Sequence, residues 1–459
     1  MKTLTLTPCT QAFGEMTLPG SKSLSIRALL LSALAQGTTE LTGVLDSDDT
    51  RVMIAALQQL GVAVRPVLDN ETQMAILGAW QITGVLDENN QPVKLNSQAD
   101  IFVGNSGLSI RTLAAALARL DGNFRLHGVP RMHERPIGDL VESLAAFGAS
   151  IEYEATAGYP PLRIKGNANA TVAPITVRGN ASSQYLTGLL QIAPLAARTQ
   201  DIVIHVAGEL ISKPYVDMTI ALMAQFGVVV ARDAATGYQS FIVTKGSAYV
   251  SPGTLQVEGD ASSASYFLAM GALGAGVNAT HKNTLTVHGA GTASLQGDVK
   301  FASFLETLSV QIDWQAQSMT VHAAVLPLPA FNADFNHIPD AAMTAAVIAL
   351  FCDGPSTLRN IASWRVKETD RLAAMATELR KCGAEVVEGE DWLQITPPSC
   401  LAPPQPFLPC QIATYDDHRM AMCGSLLRFT GQAVTIEDPA CVNKTFPNYF
   451  TEMEKICHP

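Results

Sequence analysis

Six times along the chain, a short turn of small and polar residues opens into an apolar run rich in Ala and Leu. The openings are Ser21-Lys22-Ser23-Leu24-Ser25-Ile26-Arg27, Gly104-Asn105-Ser106-Gly107-Leu108-Ser109-Ile110-Arg111 and Ala181-Ser182-Ser183-Gln184-Tyr185. Asp260-Ala261-Ser262-Ser263-Ala264-Ser265, Pro339-Asp340-Ala341-Ala342-Met343-Thr344 and Asp416-Asp417-His418-Arg419-Met420-Ala421 complete the set. They recur about every 80 residues, too long a period for a solenoid. Ser and Asp accept hydrogen bonds from the free N–H groups of a first helical turn, so these openings predict helix starts. A helix that is apolar on all sides is a buried one.

Each apolar helix leads into a strand-like run, as at Thr38 to Thr42, Asn123 to Leu126 and Asp201 to Ile204. A more polar helix comes next and usually stops at Gly. Asp48 to Leu60 ends at Gly61, Pro136 to Phe147 at Gly148, Pro214 to Phe226 at Gly227 and Lys367 to Cys382 at Gly383. Gly just past a helix suits the left-handed cap. The fourth unit, Asp298 to Leu308, lacks it, and the sixth polar helix follows Pro447. Short strands close the units, such as Val62 to Val67, Ile151 to Tyr153, Val228 to Val230 and Glu385 to Val387. Asp69 to Asp100, with the turn-forming Asp87 to Pro92, reads as an insertion, and Pro397 to Pro409 as a surface loop. The expected architecture is α/β, with two domains that each enclose three buried helices in a ring of sheets.

Length supports the division, since 459 residues exceed one ordinary core. The chain is 47% hydrophobic, yet Gly, Pro, Ser or charge breaks every apolar run before membrane-spanning length, so no membrane span is expected. Met1 to Gln11 has no hydrophobic signal region, and the eight Cys are sparse, all but Cys9 lying after residue 350. Reduced thiols and a cytoplasmic location fit this best. No CxxC or HExxH spacing suggests a metal. A net charge of −11 argues against nucleic acid as a partner. The cations nevertheless gather at helix starts: Lys22, Arg27 and Arg131 in the first third, and Lys367, Arg371, Arg419 and Lys444 in the last quarter. Such placement suits a small anion, because N–H groups, helix dipole and side-chain charge act together. Asp340 and Glu368 bring carboxylates to the same kind of position, which suits proton transfer.

The runs LPGSKSLSIRALLLSALAQG, PRMHERPIGDLVESL, SSQYLTGLL, SKPYVDMT, VEGDASSASYF, NHIPDAAMT, WRVKETDRL, YDDHRMAM and KTFPNYF stand in this order from Leu18 to Phe450. Together they resemble the 5-enolpyruvylshikimate-3-phosphate synthases of the enolpyruvyl transferase family. The resemblance implies an inside-out α/β barrel fold: two domains, each of three βαβαββ units with the helices inside the sheets. Residues 22–255 would form one domain and residues 1–21 with 256–459 the other, with the active site in the cleft between them. It further implies a cytoplasmic monomer, working without metal or organic cofactor, that moves the enolpyruvyl group of phosphoenolpyruvate to the 5-hydroxyl of shikimate 3-phosphate. Carried over by motif, Ser23, Arg27, Ser182, Ser183, Gln184, Ser212, Tyr215 and Lys367 would hold shikimate 3-phosphate. Gly107, Arg131, Gln184, Arg371, Arg419 and Lys444 would hold phosphoenolpyruvate. Lys22 would touch both substrates and assist proton transfer, Asp340 would take the proton of the 5-hydroxyl, and Glu368 would protonate the methylene carbon.

Some positions depart from the family pattern. Ile26 and Ser363 stand where Asn is common, and Ser106, Leu108 and Thr112 stand where Ala, Thr and Pro are. Leu108 is larger than Thr and donates no hydrogen bond, and Thr112 is expected to loosen a helix start that Pro would fix. The expectation is a narrowed phosphoenolpyruvate pocket and weak inhibition by glyphosate. Two other readings compete. The sister enzyme that uses UDP-N-acetylglucosamine as acceptor usually carries a catalytic Cys in its first-half domain, and this chain has no Cys between Cys9 and Cys352. A non-catalytic anion-binding protein would be expected to have lost one of Lys22, Asp340, Glu368 or Arg419, and all four are present.

Overall fold

The computed structural model describes residues 2–87, 95–232, 237–274 and 284–458. By chain contacts it divides into two compact units, Gly20–Val257 and Met1–Pro19 with Glu258–Pro459. Among the described residues the α-helices are α1 (Lys22–Ala33), α2 (Asp48–Gln59), α3 (Gly107–Ala118), α4 (Gly138–Ala145), α5 (Ser183–Ala196) and α6 (Lys213–Gln225) in the first unit. The second holds α7 (Ala261–Leu273), α8 (Lys300–Thr307), α9 (Ala342–Ile348), α10 (Arg371–Lys381), α11 (His418–Ser425) and α12 (Tyr449–Ile456).

Odd and even helices differ in what they bury. Every residue of α3, α7, α9 and α11 is buried, as are all of α1 beyond Ser23 and all of α5 except Gln184. These are the six apolar runs, and each buried Leu or Ile contributes roughly 1.5–3 kcal/mol by leaving water. The even helices bury one face only. Their ends follow the Gly pattern: Gly61, Gly148, Gly227 and Gly383 all have positive φ. After α8 the same left-handed position is taken by Ser309, with φ 65°. The polar helix near Lys367 begins later than its charge pattern suggests. Asp370 caps α10 by accepting from Ala373 N at 3.2 Å, so Lys367 to Asp370 precede the helix.

Strands wrap these helices in repeated order. In the first unit Thr254–Gln256 runs parallel to Thr38–Thr42, which pairs antiparallel with Ala75–Thr83, itself antiparallel to Ala63–Leu68. Gln98–Phe102, Gly122–His127, Leu162–Gly166 and Ser150–Tyr153 repeat this order, as do Ile175–Arg178, Ile202–Ala207, Ser240–Val243 and Val230–Arg232. The second unit builds its first two sheets the same way, starting from Gly14–Thr17 and from Asn332–Asp334. Its third sheet has three strands: Cys410–Ile412 parallel to Val434–Glu437, completed by the antiparallel N-terminal strand Thr3–Leu6. Gln11–Ala12 pairs with Cys457–His458 beside it. The fold is α/β, with the helical core inside the sheets.

Asp69 to Asp100 is not an insertion. It carries the nine-residue strand Ala75–Thr83, an inner strand of its sheet. The expected turn at Asp87 to Pro92 falls, beyond Asp87, outside the described residues. Among the described residues no helix is long and apolar enough to cross a membrane.

Candidate active site

In the first unit the predicted residues sit at the starts of α1, α3, α5 and α6. Ser21 and Ser182 cap α1 and α5, Ser182 Oγ accepting from Gln184 N at 3.2 Å. Lys22 stands at the first turn of α1, 3.7 Å from Asp49 of α2. Arg27, one turn later, is 1% exposed. Its Nε donates to Thr219 Oγ1 at 2.8 Å, and the rest of its guanidinium reaches Thr187 Oγ1 and the carbonyls of Ser23 and Tyr215. These bonds tie α1 to α5 and α6 through neutral oxygens. Burial draws the Arg27 pKa down to about 10, so the group remains charged at neutral pH. Ser212, at φ 53°, makes the left-handed turn into α6 that presents Tyr215.

Gly107 opens α3, and its backbone is crowded by two guanidiniums. A Cβ there would push on the guanidinium ends of Arg135 and Arg111, so glycine lets both cations pack on the start of α3. Arg111 donates to Gln184 Oε1 at 2.7 Å and to the Gly107 carbonyl at 3.0 Å, which fixes Gln184 at the start of α5. Arg135 is 4% exposed and bonds to Asn105 O and Oδ1. Arg131, the position picked out in the sequence, forms a surface pair with Glu134 at 2.7 Å. Arg135, four residues on, packs against Gly107 together with Arg111. Thr112 lies within α3 rather than at its start, and its hydroxyl donates to the Leu108 carbonyl at 3.0 Å. Thr112 therefore does not loosen the helix start, and buried Ser106 and Leu108 are the departures that remain on either side of Gly107.

The second unit brings Asp340, Lys367, Glu368, Arg371, Arg419 and Lys444 into one cluster. Its centre is Arg371, 1% exposed at the first position of α10. Nε donates to Asp417 Oδ2 at 2.7 Å, Nη1 to Asp340 Oδ1 at 2.9 Å and Nη2 to Glu368 Oε2 at 2.9 Å. Arg419 Nη2 donates to the other Asp340 oxygen at 2.9 Å, and its Nη1 to Tyr266 Oη at 3.0 Å. Lys444 Nζ stands 3.4 Å from Glu368 Oε1, and Lys367 Nζ 3.7 Å from Asp340 Oδ1. Burial opposes the Arg371 charge, but Asp417, Glu368 and Asp340 outweigh it and raise its pKa.

Two members escaped the sequence reading as site residues. Asp417 is fully buried; it caps α11 through Arg419 N at 2.9 Å while gripping Arg371. As a helix cap it was visible, but its partner lies 46 positions away. Trp364 is buried and donates Nε1–H to the Pro339 carbonyl at 2.7 Å, which anchors the turn that carries Asp340. Among the described residues no group of three or more His, Cys, Asp or Glu is arranged to hold a metal ion.

Comparison with known proteins gives this arrangement its context. The chain is 52% identical over 445 residues to the 3-phosphoshikimate 1-carboxyvinyltransferase of Bordetella parapertussis, covering 96% of this chain and 94% of that one. With the protein of the same name from Cellvibrio japonicus it shares 53% over 456 residues, covering 99% and 100%. The fold matches that of an EPSP synthase from Acinetobacter baumannii at 22% identity, with TM-score 0.78 over 100% of this chain and 98% of that one. It also matches the enolpyruvyl transferase NikO of Streptomyces tendae at 15% identity, with TM-score 0.70 over 100% and 99%. The family model described as EPSP synthase (3-phosphoshikimate 1-carboxyvinyltransferase) matches residues 6–453, and the chain belongs to that family.

Proposed function

We propose that this protein transfers the enolpyruvyl group of phosphoenolpyruvate to the 5-hydroxyl of shikimate 3-phosphate and releases phosphate, in the shikimate pathway. The observation that carries this reading is the cluster around Arg371, where guanidinium and ammonium groups are interleaved with carboxylates. Phosphoenolpyruvate carries a carboxylate and a phosphate. These would take over donors of Arg371, Arg419 and Lys444 that now face Glu368 and Asp340. The two acids would then be released to move protons.

In the proposed route Glu368 protonates the methylene carbon, leaving a cationic centre at C2. The 5-hydroxyl oxygen adds there as Asp340 takes its proton, which gives a tetrahedral intermediate. Glu368, by then a carboxylate, takes a proton back from the methyl group as phosphate departs, which restores the double bond. Fixed cations stabilise the charge on the leaving phosphate. Ser23, Arg27, Ser182, Ser183, Ser212 and Tyr215 are assigned to shikimate 3-phosphate, together with Lys367. Gln184 serves both substrates, Lys22 contacts both and assists proton transfer, and Gly107 offers its backbone N–H to phosphoenolpyruvate. Arg131 is assigned to phosphoenolpyruvate as well, and Arg135 joins this set because its guanidinium lies against Gly107. The protein is proposed to act as a cytoplasmic monomer.

The test is phosphate release with both substrates and with each alone. Release that needs both supports the transferase. Release with UDP-N-acetylglucosamine in place of shikimate 3-phosphate would assign the sister activity. Binding without turnover would leave an anion-binding protein. Light scattering that gives a mass near 48.7 kDa supports the monomer.

A further inference from the structure

We infer that Glu378 is a positioning residue for the phosphoenolpyruvate side of the site, acting by clamping the 413–417 segment to α10. The inference rests on the transferase reading, which assigns Arg371 and Arg419 to that substrate.

Glu378 is a carboxylate only 2% exposed, on the same helix as Arg371 and two turns further along. Seven residues apart, the two side chains lie on one face of α10. Both reach the same neighbouring segment. Arg371 grips Asp417 at 2.7 Å. Glu378 Oε2 accepts from Ala413 N at 3.1 Å and from Lys381 Nζ at 2.6 Å, and its Oε1 accepts from Tyr415 Oη at 2.6 Å. The helix thus holds residues 413–417 at both ends.

The segment needs holding. Tyr415 and Asp416 have φ of 54° and 55°, two consecutive non-glycine residues in the left-handed region. L-residues avoid that conformation unless their surroundings enforce it. The double turn aims the next residue, Asp417, inward, where it is fully buried against Arg371 and caps α11 through Arg419 N. Glu378 and the Tyr415 hydroxyl enforce a strained turn whose product is the placement of Asp417, and through it of Arg371 and Arg419.

The test compares Glu378→Gln and Tyr415→Phe with the unaltered protein in steady-state assays that vary each substrate. Glu378→Gln weakens the acceptor for Ala413 N–H and Lys381. It is expected to raise the KM for phosphoenolpyruvate about tenfold while the KM for shikimate 3-phosphate moves less than about twofold. Tyr415→Phe removes one hydrogen bond from a half-exposed ring and is expected to give a change in the same direction of about threefold. Equal rises in both KM values, or a lowered melting temperature with both KM values unchanged, would overturn the positioning role. If Glu378→Gln does not fold, Tyr415→Phe decides by the same criterion. An unaltered protein without turnover would count against the transferase reading and not against the clamp, which is then judged by phosphoenolpyruvate binding measured calorimetrically on the same three proteins.

Discussion

The two units bury arginines in opposite electrostatic settings. In Gly20–Val257, Arg27 is held by two threonine hydroxyls and two carbonyls, and burial lowers its pKa. In the other unit, Arg371 is just as buried but is gripped by three carboxylates, which raise its pKa against the cost of burial. A guanidinium satisfied by neutral oxygens keeps its charge for an incoming dianion, at some expense in stability. One already balanced by acids adds little net attraction, but it supplies carboxylates that a bound anion can displace. The first arrangement suits holding a phosphate. The second suits chemistry in which protons change place.

That contrast can be broken most directly at Asp340. Asp340→Ala is expected to lower kcat by ~10²–10⁴ and to leave the KM for shikimate 3-phosphate nearly unchanged, as loss of a general base would. A change confined to KM would place Asp340 among the binding groups. Next in size, Arg27→Ala is expected to raise the KM for shikimate 3-phosphate about a hundredfold with a smaller effect on kcat. If turnover falls and KM does not, the division of labour between the units is wrong. Leu108 sharpens the picture within the first unit. Glyphosate is expected to inhibit the protein weakly, and Leu108→Thr to lower its half-inhibitory concentration by roughly tenfold. Full inhibition of the unaltered protein at micromolar concentration would remove the narrowed-pocket idea. The smallest effect concerns the frame. Ser309→Gly should relieve the left-handed strain after α8 and stabilise the second unit by about 1 kcal/mol, read as a rise of about 2–4 °C in melting temperature.

Ser309 also shows what a sequence displays and what it hides. The outer helix of the fourth unit was recognisable from its position in the repeat, although the residue that usually marks its end is absent. The inner helices were plain because their runs are rich in Ala and Leu on every side, with only scattered polar residues among them. The strand Ala75–Thr83 was missed because Ile76 and Leu77 are consecutive, apolar and exposed (45% and 82%), so no alternation marks it. The cluster around Arg371 was legible as motifs, each beside a helix start. Its wiring was not, since Arg371 meets Asp417 across 46 positions and Glu378 meets Tyr415 across 37. Arg131 and Arg135 flank the same short turn, and only the path of the chain distinguishes the one paired at the surface from the one packed on Gly107.

The strand Thr3–Leu6 completes a sheet whose other members, Val434–Glu437 and Cys410–Ile412, are made about 400 residues later. On the ribosome this imposes an order. The unit Gly20–Val257 can close before residues 410–437 are made, but the strand Thr3–Leu6 waits for more than 400 residues to follow it. At ~5–20 residues per second that delay is roughly 20–90 s. During it the strand's edge is unpaired and open to chaperones or proteases. The second unit is therefore finished long after the first can close, and the cluster around Arg371 is complete only once Lys444 has been made.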